Sequence, residues 1–478
     1  MKFNVLKGPF FKSKNSTHRI MLNLFIALLP IILFSFYKNG IVVYQNNKTD
    51  IFGMFYPLLF TLTGIVSSFL TETLYTYIFL KKRGTELKKS ILNSFSIFPG
   101  LFVSLFLPLN TPIEILIFAC VVAIIIGKML YGGFGHNVFN PALIGVLFAL
   151  TCYGSIINQN GGYINKYELD TIGSATPLTN YKLVEGIGTY DTVVKPFGSL
   201  GDFFIGNIPG GPGEVCSFLI ILAFIYLVFT KVIKWKIPVI YVGTVFIMTT
   251  IIGSINGVGL WYSTFSVLSG GLLFGAVFMA TDPVTSPTTS VGQIIYALFL
   301  GILTVTFRYL TSAPEGVLTS ILTMNMFVMI LDRIGSSSKP SIKKIALPLL
   351  IGLTIMTTMS IHIGNKFKHP NGTDPNFKLI KKTKDYYMVS QKGNGGPIKA
   401  KIYIKDNQIT KIEILENNET ENYFKLVKEA KYTKTLIKNQ DNLDNIDTIS
   451  GATISSTALK KMIIHVKEDM SKWKNIKE

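Results

Sequence analysis

Residues 20–37 read IMLNLFIALLPIILFSFY, an apolar run that follows the basic segment 1–19. A run of about 20 apolar residues is long enough to cross a bilayer as a helix. Further runs follow along the chain, at about 54–80, 91–108, 113–131, 138–154, 214–230, 236–254, 262–281, 290–310, 314–331 and 343–362. Of the 478 residues, 49% are hydrophobic and only 15% are charged. The sequence therefore predicts a polytopic α-helical membrane protein with about eleven transmembrane helices.

The basic residues of the loops predict how the chain is oriented in the membrane. With the N-terminus 1–19 in the cytoplasm, the Lys- and Arg-rich loops all fall on the cytoplasmic side, at 81–83, 231–236 and 333–344. This is the positive-inside bias. An odd number of spans then places the long loop 155–213 and the tail 363–478 outside the cytoplasm. The first run has no small-residue cleavage site, so we expect it to remain as a membrane helix.

The composition argues against two other classes of protein. The net charge is +19, but the lysines flank apolar runs or are scattered through a mixed-charge tail, so we expect no nucleic-acid partner. The three cysteines, Cys120, Cys152 and Cys216, are far apart, and the five histidines do not cluster. No metal-ligand spacing exists. We therefore predict no metal centre held by this chain.

The tail 363–478 is predicted to be a small α+β domain. Residues 398–404 alternate apolar and polar side chains, as a half-buried strand does, and 409–415 form a second arm of a hairpin. Residues 384–392 favour another strand, and 419–434 favour a helix. A last helix is indicated by apolar residues at helical spacing, Leu459, Met462, Ile463 and Val466, with Ser455 or Ser456 as its cap.

Two similar heptapeptides lie in the two segments predicted to be outside the cytoplasm. Asp447–Thr453 reads DTISGAT, and Asp170–Thr176 reads DTIGSAT. Each ends on a threonine hydroxyl beside small residues, which allow close approach to the backbone. The first also precedes a predicted helix N-terminus, which favours a phosphate. Either these are ordinary loop segments, or each presents one threonine for the same modification, a flavin carried through a phosphate.

Two further stretches interrupt the apolar pattern. The residues Gly132–Asn137 with Asn140-Pro141, and Asp282 with Thr285–Thr289, suggest broken helices around a central site. Asp282, Thr285, Asn137 and Asn140 are candidates for a cofactor, quinone or ion site; the alternative is tight turns with capped ends. Gly211, Gly213 and Glu214 open the run at 214–230, where they either approach a flavin phosphate or only mark the start of a helix.

The tail motif resembles a known modification site. DTISGAT fits the pattern Asp-x-x-(Ser/Thr)-Gly-Ala-(Ser/Thr), which is similar to the site recognised by bacterial FMN transferases. The resemblance implies that Thr453 forms a phosphoester with FMN, within a motif of Asp447, Ser450, Gly451 and Ala452. The stretch GGPIKAKIYIKDNQITKIEILENNET at 395–420 resembles the FMN-binding domain of the RnfG protein of Rnf complexes and of the NqrC protein of the sodium-pumping NADH:quinone reductase.

The membrane part resembles the RnfD protein of Rnf complexes, which is similar to the NqrB protein of the quinone reductase. The residues that carry this resemblance are Ser16–Met21, Lys128–Gly145 (KMLYGGFGHNVFNPALIG), Ala175–Leu178 (ATPL) and Asp282–Thr289 (DPVTSPTT). It covers about residues 5–335, and the resemblance to RnfG covers about 340–470. The resemblance to RnfD implies a second FMN on Thr176, in the motif that begins at Asp170. Gly173 and Ser174 depart from the FMN transferase pattern.

The resemblance implies a function and a domain order. The segment 1–19 is a cytoplasmic N-terminus, 20–335 the membrane domain, 343–362 an additional span and 363–478 the FMN-binding domain. Two covalent FMN groups would pass electrons in an ion-translocating redox complex, a translocase that moves sodium ions or protons. A noncovalent riboflavin lies between the spans of the related NqrB protein, and this chain is a candidate to hold one too.

The implied partners are the lipid membrane, an FMN transferase as maturation enzyme, and iron–sulfur and NAD-binding subunits of an Rnf-type complex. This chain has no G-x-G-x-x-G fingerprint after a strand and no cysteine cluster, so it is not the whole machine. One alternative is a protein that exports electrons through flavins without pumping ions. Another is a channel or carrier with a flavin-sensing domain.

Overall fold

The structure is a computed structural model that describes residues 16–159, 178, 187–311, 316–336, 342–367, 377–383, 385–392, 397–405, 408–417, 425, 431–440 and 453–474. The chain divides into two compact units, residues 1–368 and 369–478. The first is all helical in its described part, and the second combines a sheet with helices.

The helices of the first unit follow the apolar runs of the sequence. They are α1 (Thr17–Phe36), α2 (Val42–Gln45), α3 (Ile51–Ile78), α4 (Gly84–Leu92), α5 (Ile97–Phe106), α6 (Ile113–Ile125), α7 (Pro141–Gln159), α8 (Tyr190–Val193), α9 (Leu200–Ile205), α10 (Ser217–Phe229), α11 (Lys236–Ile255), α12 (Trp261–Leu268), α13 (Leu272–Phe274), α14 (Ser290–Leu310), α15 (Val317–Asn325), α16 (Val328–Gly335) and α17 (Ile342–Lys366). A π-helical turn, Tyr37–Ile41, joins α1 to α2.

Six of these helical segments in the described residues are long and apolar enough to cross a membrane. Three bent pairs raise the number of candidate spans to nine if each pair is one span: α4 with α5 at 43°, α12 with the helix after it at 63°, and α15 with α16 at 58°. The remaining two apolar runs coincide with the shorter helices α7 and α10. A multi-pass helical membrane protein is therefore confirmed, whereas a count of eleven spans stays a prediction.

Close approach of backbones holds the membrane helices together. An added Cβ at Gly100 of α5 would lie 2.0 Å from the carbonyl oxygen of Gly64 in α3 and 2.0 Å from Ser68 Oγ. The same holds for α6 and α7, where a Cβ at Gly145 would lie 2.5 Å from the Ala119 carbonyl oxygen. Small residues at helix contacts are typical of membrane proteins, because packing replaces the hydrophobic effect as the force between helices in lipid.

The second unit is a four-stranded antiparallel sheet with two described helices. The strands β1 (Phe377–Lys382), β2 (Tyr386–Lys392), β3 (Pro397–Lys405) and β4 (Gln408–Asn417) form a meander in that order. The helices are α18 (Tyr432–Lys438) and α19 (Thr453–Lys474). One face of α19 packs on the sheet, and its buried side chains include Leu459, Met462, Ile463 and Val466, as the sequence predicts.

The strands of the predicted hairpin are confirmed. Ile398, Ala400 and Ile402 of β3 are buried at alternate positions, against the apolar face of α19. The helix predicted at 419–434 lies mostly outside the described residues. Two details differ from the predictions. Strand β1 was not predicted. Its residues 378–381 are exposed, so no alternation of buried and exposed side chains marks it as a strand. The last helix begins at Thr453, so Ser455 and Ser456 lie buried in its first turn rather than before it.

Replacing Gly100 with alanine tests the packing of α3 on α5. The new methyl group forces the two backbones apart, and such overpacking costs about 1–3 kcal/mol. We expect Gly100→Ala to lower the thermal unfolding midpoint of the purified protein in detergent by several degrees. The matched control is Gly243→Ala in α11, where nothing lies within 4 Å of an added Cβ. Equal midpoints for the two variants would contradict the close crossing.

Candidate functional site

The two interrupted stretches of the sequence meet at one partly open cavity. Asn137 and Asn140, before α7, line it together with Asp282, which follows the π-helical turn Gly275–Met279. Most of the remaining wall is apolar and aromatic, including Phe95, Phe98, Phe102, Phe134 and Phe278. We name this cavity the chamber. A mostly apolar pocket with a few convergent polar groups is the usual form of a ligand site.

The first stretch is bent sharply by glycines and then starts a helix. Gly132, Gly133 and Gly135 have φ angles of 106°, 96° and 91°, which favour glycine over other residues. Asn140 caps α7, because its Oδ1 accepts a hydrogen bond from Ala142 N at 3.1 Å and Pro141 is the first residue of the helix. The structure thus shows the capped turn and shows that it lines a cavity, whereas the cofactor, quinone or ion site stays a prediction.

In the second stretch, side chains replace the missing helical hydrogen bonds. Asp282 Oδ2 accepts from the hydroxyl of Thr285 at 2.9 Å and from Thr285 N at 3.2 Å. Asn325, at the bend between α15 and α16, donates to the Thr285 carbonyl at 2.7 Å, and Gln293 donates to the Pro287 carbonyl at 2.9 Å. The backbone of this loop is therefore satisfied inside the protein, as non-helical backbone at membrane depth must be.

Asp332 of α16 anchors the end of the same loop. Its carboxylate accepts hydrogen bonds from the backbone N–H and the hydroxyl of both Thr288 and Thr289, at 2.9–3.0 Å. Sequence analysis missed this residue. It lies more than 40 positions from its partners, and a single acid near a helix end has no distinctive local pattern.

The chamber wall also contains an ion pair that the sequence did not predict. Lys128 Nζ lies 2.7 Å from Glu72 Oε2 of α3, and both side chains are almost completely buried. Lys128 also donates to the Ser94 carbonyl at 2.7 Å, and the Ser94 hydroxyl donates to Glu72. The default for a lysine at a membrane boundary is to extend towards water, but Lys128 does not. One signal was available: Glu72 is the only charged residue in Ile51–Ile78.

The loop before α10 is tightly packed on its neighbours. Gly213 N donates to the Leu105 carbonyl at 2.8 Å, and Gly211 N donates to Glu214 Oε1 at 3.1 Å. A Cβ at Gly271, at the bend after α12, would lie 2.5 Å from Glu214 Oε2. The N–H groups of Gly211 and Gly213 therefore have partners within the protein, and their predicted approach to a flavin phosphate stays a prediction.

A buried arginine stabilises the same bend. Arg308 of α14 donates to the carbonyls of Ser266 and Ser269 at 2.6 and 3.2 Å. These carbonyls are at the C-terminal end of α12, where the helix dipole favours a positive charge. Arg308 thus neither extends to solvent nor depends on an acidic side chain for these contacts.

The structure describes only one of the two threonines that are predicted to carry a flavin. Asp170 and Thr176 lie outside the described residues, although Leu178, two positions after Thr176, is buried. Asp447, Ser450, Gly451 and Ala452 also lie outside the described residues. Thr453 is the first residue of α19, a helix of 22 residues. The motif therefore leads directly into a helix N-terminus, where unpaired N–H groups favour a phosphate.

Comparisons with known proteins match both units. Residues 4–339 match the NQR2, RnfD, RnfE family, and residues 393–466 match the FMN-binding domain family. The D subunit of the proton-translocating ferredoxin:NAD(+) oxidoreductase complex of Clostridium ljungdahlii is 33% identical over 335 residues, 69% of this chain and 94% of that protein. Its Na(+)-translocating counterpart in Acetobacterium woodii is 32% identical over 335 residues, 70% of this chain and 93% of that protein. The B subunit of the Na(+)-translocating NADH-quinone reductase of Chromohalobacter salexigens is 30% identical over 262 residues, 53% of this chain and 60% of that protein.

Replacing Asp332 tests whether it holds the loop beside the chamber. Asp332→Ala removes the acceptor of the Thr288 and Thr289 N–H groups, and a hydrogen bond to a charged group contributes about 1.5–3 kcal/mol. We expect hydrogen exchange at these two amides to accelerate about tenfold or more. In the control, Asp50→Ala removes the side-chain acceptor of Gly53 N at the start of α3 and should leave them unchanged. Unaltered exchange in Asp332→Ala would contradict this role.

Proposed function

Because this chain belongs to the NQR2, RnfD, RnfE family and ends in an FMN-binding domain, we propose that it is the membrane-embedded flavoprotein subunit of an Rnf-type complex, an ion-translocating oxidoreductase. The supporting observation is the joining of the two parts in one chain: a membrane unit related to RnfD and a flavin domain on a tail. The relatives are named as subunits of ferredoxin:NAD(+) oxidoreductase complexes. The partners of this chain are accordingly iron–sulfur and NAD-binding subunits, within a lipid membrane.

The tail carries FMN on Thr453 through a phosphoester. Three features support this assignment: the DTISGAT motif, the match of residues 393–466 to the FMN-binding domain family, and the start of α19 at Thr453. A phosphate attached there lies at the positive end of a 22-residue helix. Asp447, Ser450, Gly451 and Ala452 form the segment that an FMN transferase recognises during maturation.

A second FMN is attached to Thr176. The DTIGSAT segment repeats five of the seven residues of the tail motif and precedes Pro177 and the buried Leu178. A flavin exchanges one or two electrons when bound, so two flavins on one chain form a relay between one-electron and two-electron carriers. The protein contributes the position of each flavin and its surroundings.

Flavin fluorescence of variants tests both attachment sites. After co-expression with an FMN transferase, the denatured protein should fluoresce in a gel, because the phosphoester survives denaturation. Thr453→Ala and Thr176→Ala should each remove part of the signal, and the double variant should remove all of it. Thr448→Ala and Thr171→Ala, which remove another hydroxyl of each heptapeptide, are the matched controls and should fluoresce normally. A signal that persists in the double variant would refute the assignment.

The chamber is the candidate site for an ion, a quinone or a noncovalent riboflavin. Its aromatic wall suits a planar ring, and Asn137, Asn140 and Asp282 supply polar groups around it. An amide that caps a helix and a carboxylate held by Thr285 are both fixed in position, which is what a binding site needs. Of these three residues, Asp282 is the one whose carboxylate can be negatively charged and bind a cation.

Both flavins lie on the extracytoplasmic side of the membrane in this proposal. The basic loops place the N-terminus in the cytoplasm, and an odd number of crossings then carries the tail to the opposite side. The assignment includes α7 and α10 as spans, although both are short. Because α7 and α10 are short, the remaining part of each membrane crossing would consist of non-helical backbone surrounded by buried side chains.

A reporter at the C-terminus tests this orientation. Alkaline phosphatase fused after residue 478 should be active in intact cells, because this enzyme matures only outside the cytoplasm. A fusion truncated in the basic loop 231–236 should be inactive, because that loop is predicted to be cytoplasmic. The reverse pattern would place the tail flavin in the cytoplasm and contradict the proposed topology.

A further inference from the structure

A second cavity lies next to the chamber and differs from it in character. It is lined by charged and polar residues, among them Glu72, Lys82, Glu86, Lys89 and Ser94. Glu86 and Lys89 are exposed, so this cavity opens to solvent, on the side proposed to be cytoplasmic. We name it the basin. An apolar chamber that holds a carboxylate is thus adjacent to a solvated basin that holds charges of both signs.

The ion pair and one aromatic ring form part of the boundary between the two cavities. Lys128 lines the chamber, whereas its partner Glu72 lines the basin. Phe134 lines both, and its ring centroid lies 5.8 Å from Lys128 Nζ. A passage through this boundary would open where Glu72 and Lys128 meet.

The ion pair between Glu72 and Lys128 is fully formed in this structure. Each carboxylate oxygen of Glu72 has a partner, Lys128 on one side and the Ser94 hydroxyl on the other. A buried pair of this kind is weak evidence for a purely stabilising role, because removing two charges from water offsets most of their attraction. Ionisable groups within a membrane protein are costly and commonly mark an ion path.

Lys128 has a second carboxylate in its own cavity. Asp282 lines the chamber, as Lys128 does, and in the described part of the chain no lysine or arginine forms an ion pair with it. Its hydrogen bonds from Thr285 involve only Oδ2. Lys128 therefore contacts one carboxylate on the basin side and shares the chamber with a second.

We propose that Lys128 is a mobile counter-ion that exchanges Glu72 for Asp282 during ion transport. A small monovalent cation entering from the basin takes the place of the ammonium group on Glu72. Lys128 then moves into the chamber and neutralises Asp282. When Lys128 returns to Glu72, the displaced cation passes to the vacated carboxylate of Asp282 in the chamber, and the wall closes behind it. This inference rests on the ion-translocating part of the proposed function, and it makes Lys128 a positioning residue for the transported charge.

The test uses the whole complex reconstituted in vesicles, with reduced ferredoxin and NAD(+) as substrates. Transport is followed with ²²Na⁺ in one arm and with a pH-sensitive dye in the other, so a sodium ion and a proton are distinguished. Flavin reduction by the donor is measured in the same samples. Lys128→Met should lower ion transport per electron at least tenfold, while flavin reduction remains within twofold of wild type.

The charge swap Glu72→Lys with Lys128→Glu separates a carrier from a structural pair. It restores a buried ion pair, so the complex should assemble even if Lys128→Met does not. It also places a carboxylate beside Asp282 in the chamber, so a transferable positive charge is absent there. We expect the swap to be assembled, with flavin reduction within twofold of wild type and ion transport at least tenfold lower.

Four results would count against the inference. Normal ion transport in the swap variant would show that the pair is only structural, and normal transport in Lys128→Met would show that the ammonium group is dispensable. A swap variant that fails to assemble would show that the wall does not tolerate the exchanged pair, against the mobile role of Lys128. If the wild-type complex reduces its flavins but moves neither ion, the ion-translocating part of the proposed function is wrong, and the inference falls with it.

Discussion

Every backbone N–H and C=O group within a membrane needs a partner inside the protein, and this constraint explains most of the first unit. Continuous helices satisfy it by themselves, so an unbroken apolar run needs no specific neighbour. Where the helices stop, at 132–140 and 280–289, side chains take over. Asn140, Asn325 and Asp332 supply the missing partners. Asn140 itself lines the chamber, and Asn325 and Asp332 hold the loop that begins at Asp282.

This arrangement concentrates polar chemistry in a small part of an apolar molecule. A chain that broke its helices elsewhere would have to bury unsatisfied groups, at a cost of several kcal/mol each. By placing both breaks beside one cavity, the fold gives Asp282 fixed hydrogen-bond donors and places Lys128 in the lining of the same cavity. The proposed binding and the proposed control of access would thus depend on the same local geometry.

The second unit obeys different rules because it is exposed to water. Its sheet is held by the burial of one face, where Ile398, Ala400 and Ile402 meet the apolar face of α19. Charged pairs on its surface, such as Lys399 with Glu416 at 2.5 Å, are exposed and contribute little. The domain can therefore use the start of α19 for the proposed flavin while one face of this helix packs in the core.

The positions of the membrane helices were predictable from hydropathy, because apolar length is a local property that a bilayer selects directly. The alternating strand at 397–405 and the helical spacing from Leu459 to Val466 were predictable because periodicity is also a local property of the sequence. The motifs also pointed to Asn137, Asn140 and Asp282, although not to the cavity that they share. Strand β1 escaped prediction because few of its side chains are buried.

Only the tertiary structure revealed the pairing of Glu72 with Lys128 and the anchoring of Thr288 and Thr289 by Asp332. The partners are separated by 56 and 44 positions. A hydrogen bond or an ion pair depends on where two helices cross, and neither residue type nor periodicity contains that distance. The sequence by itself thus determined which segments are apolar enough to form membrane helices and which segment forms the FMN-binding domain. Packing decided which charges meet, because only the folded backbone brings distant side chains within a few ångströms.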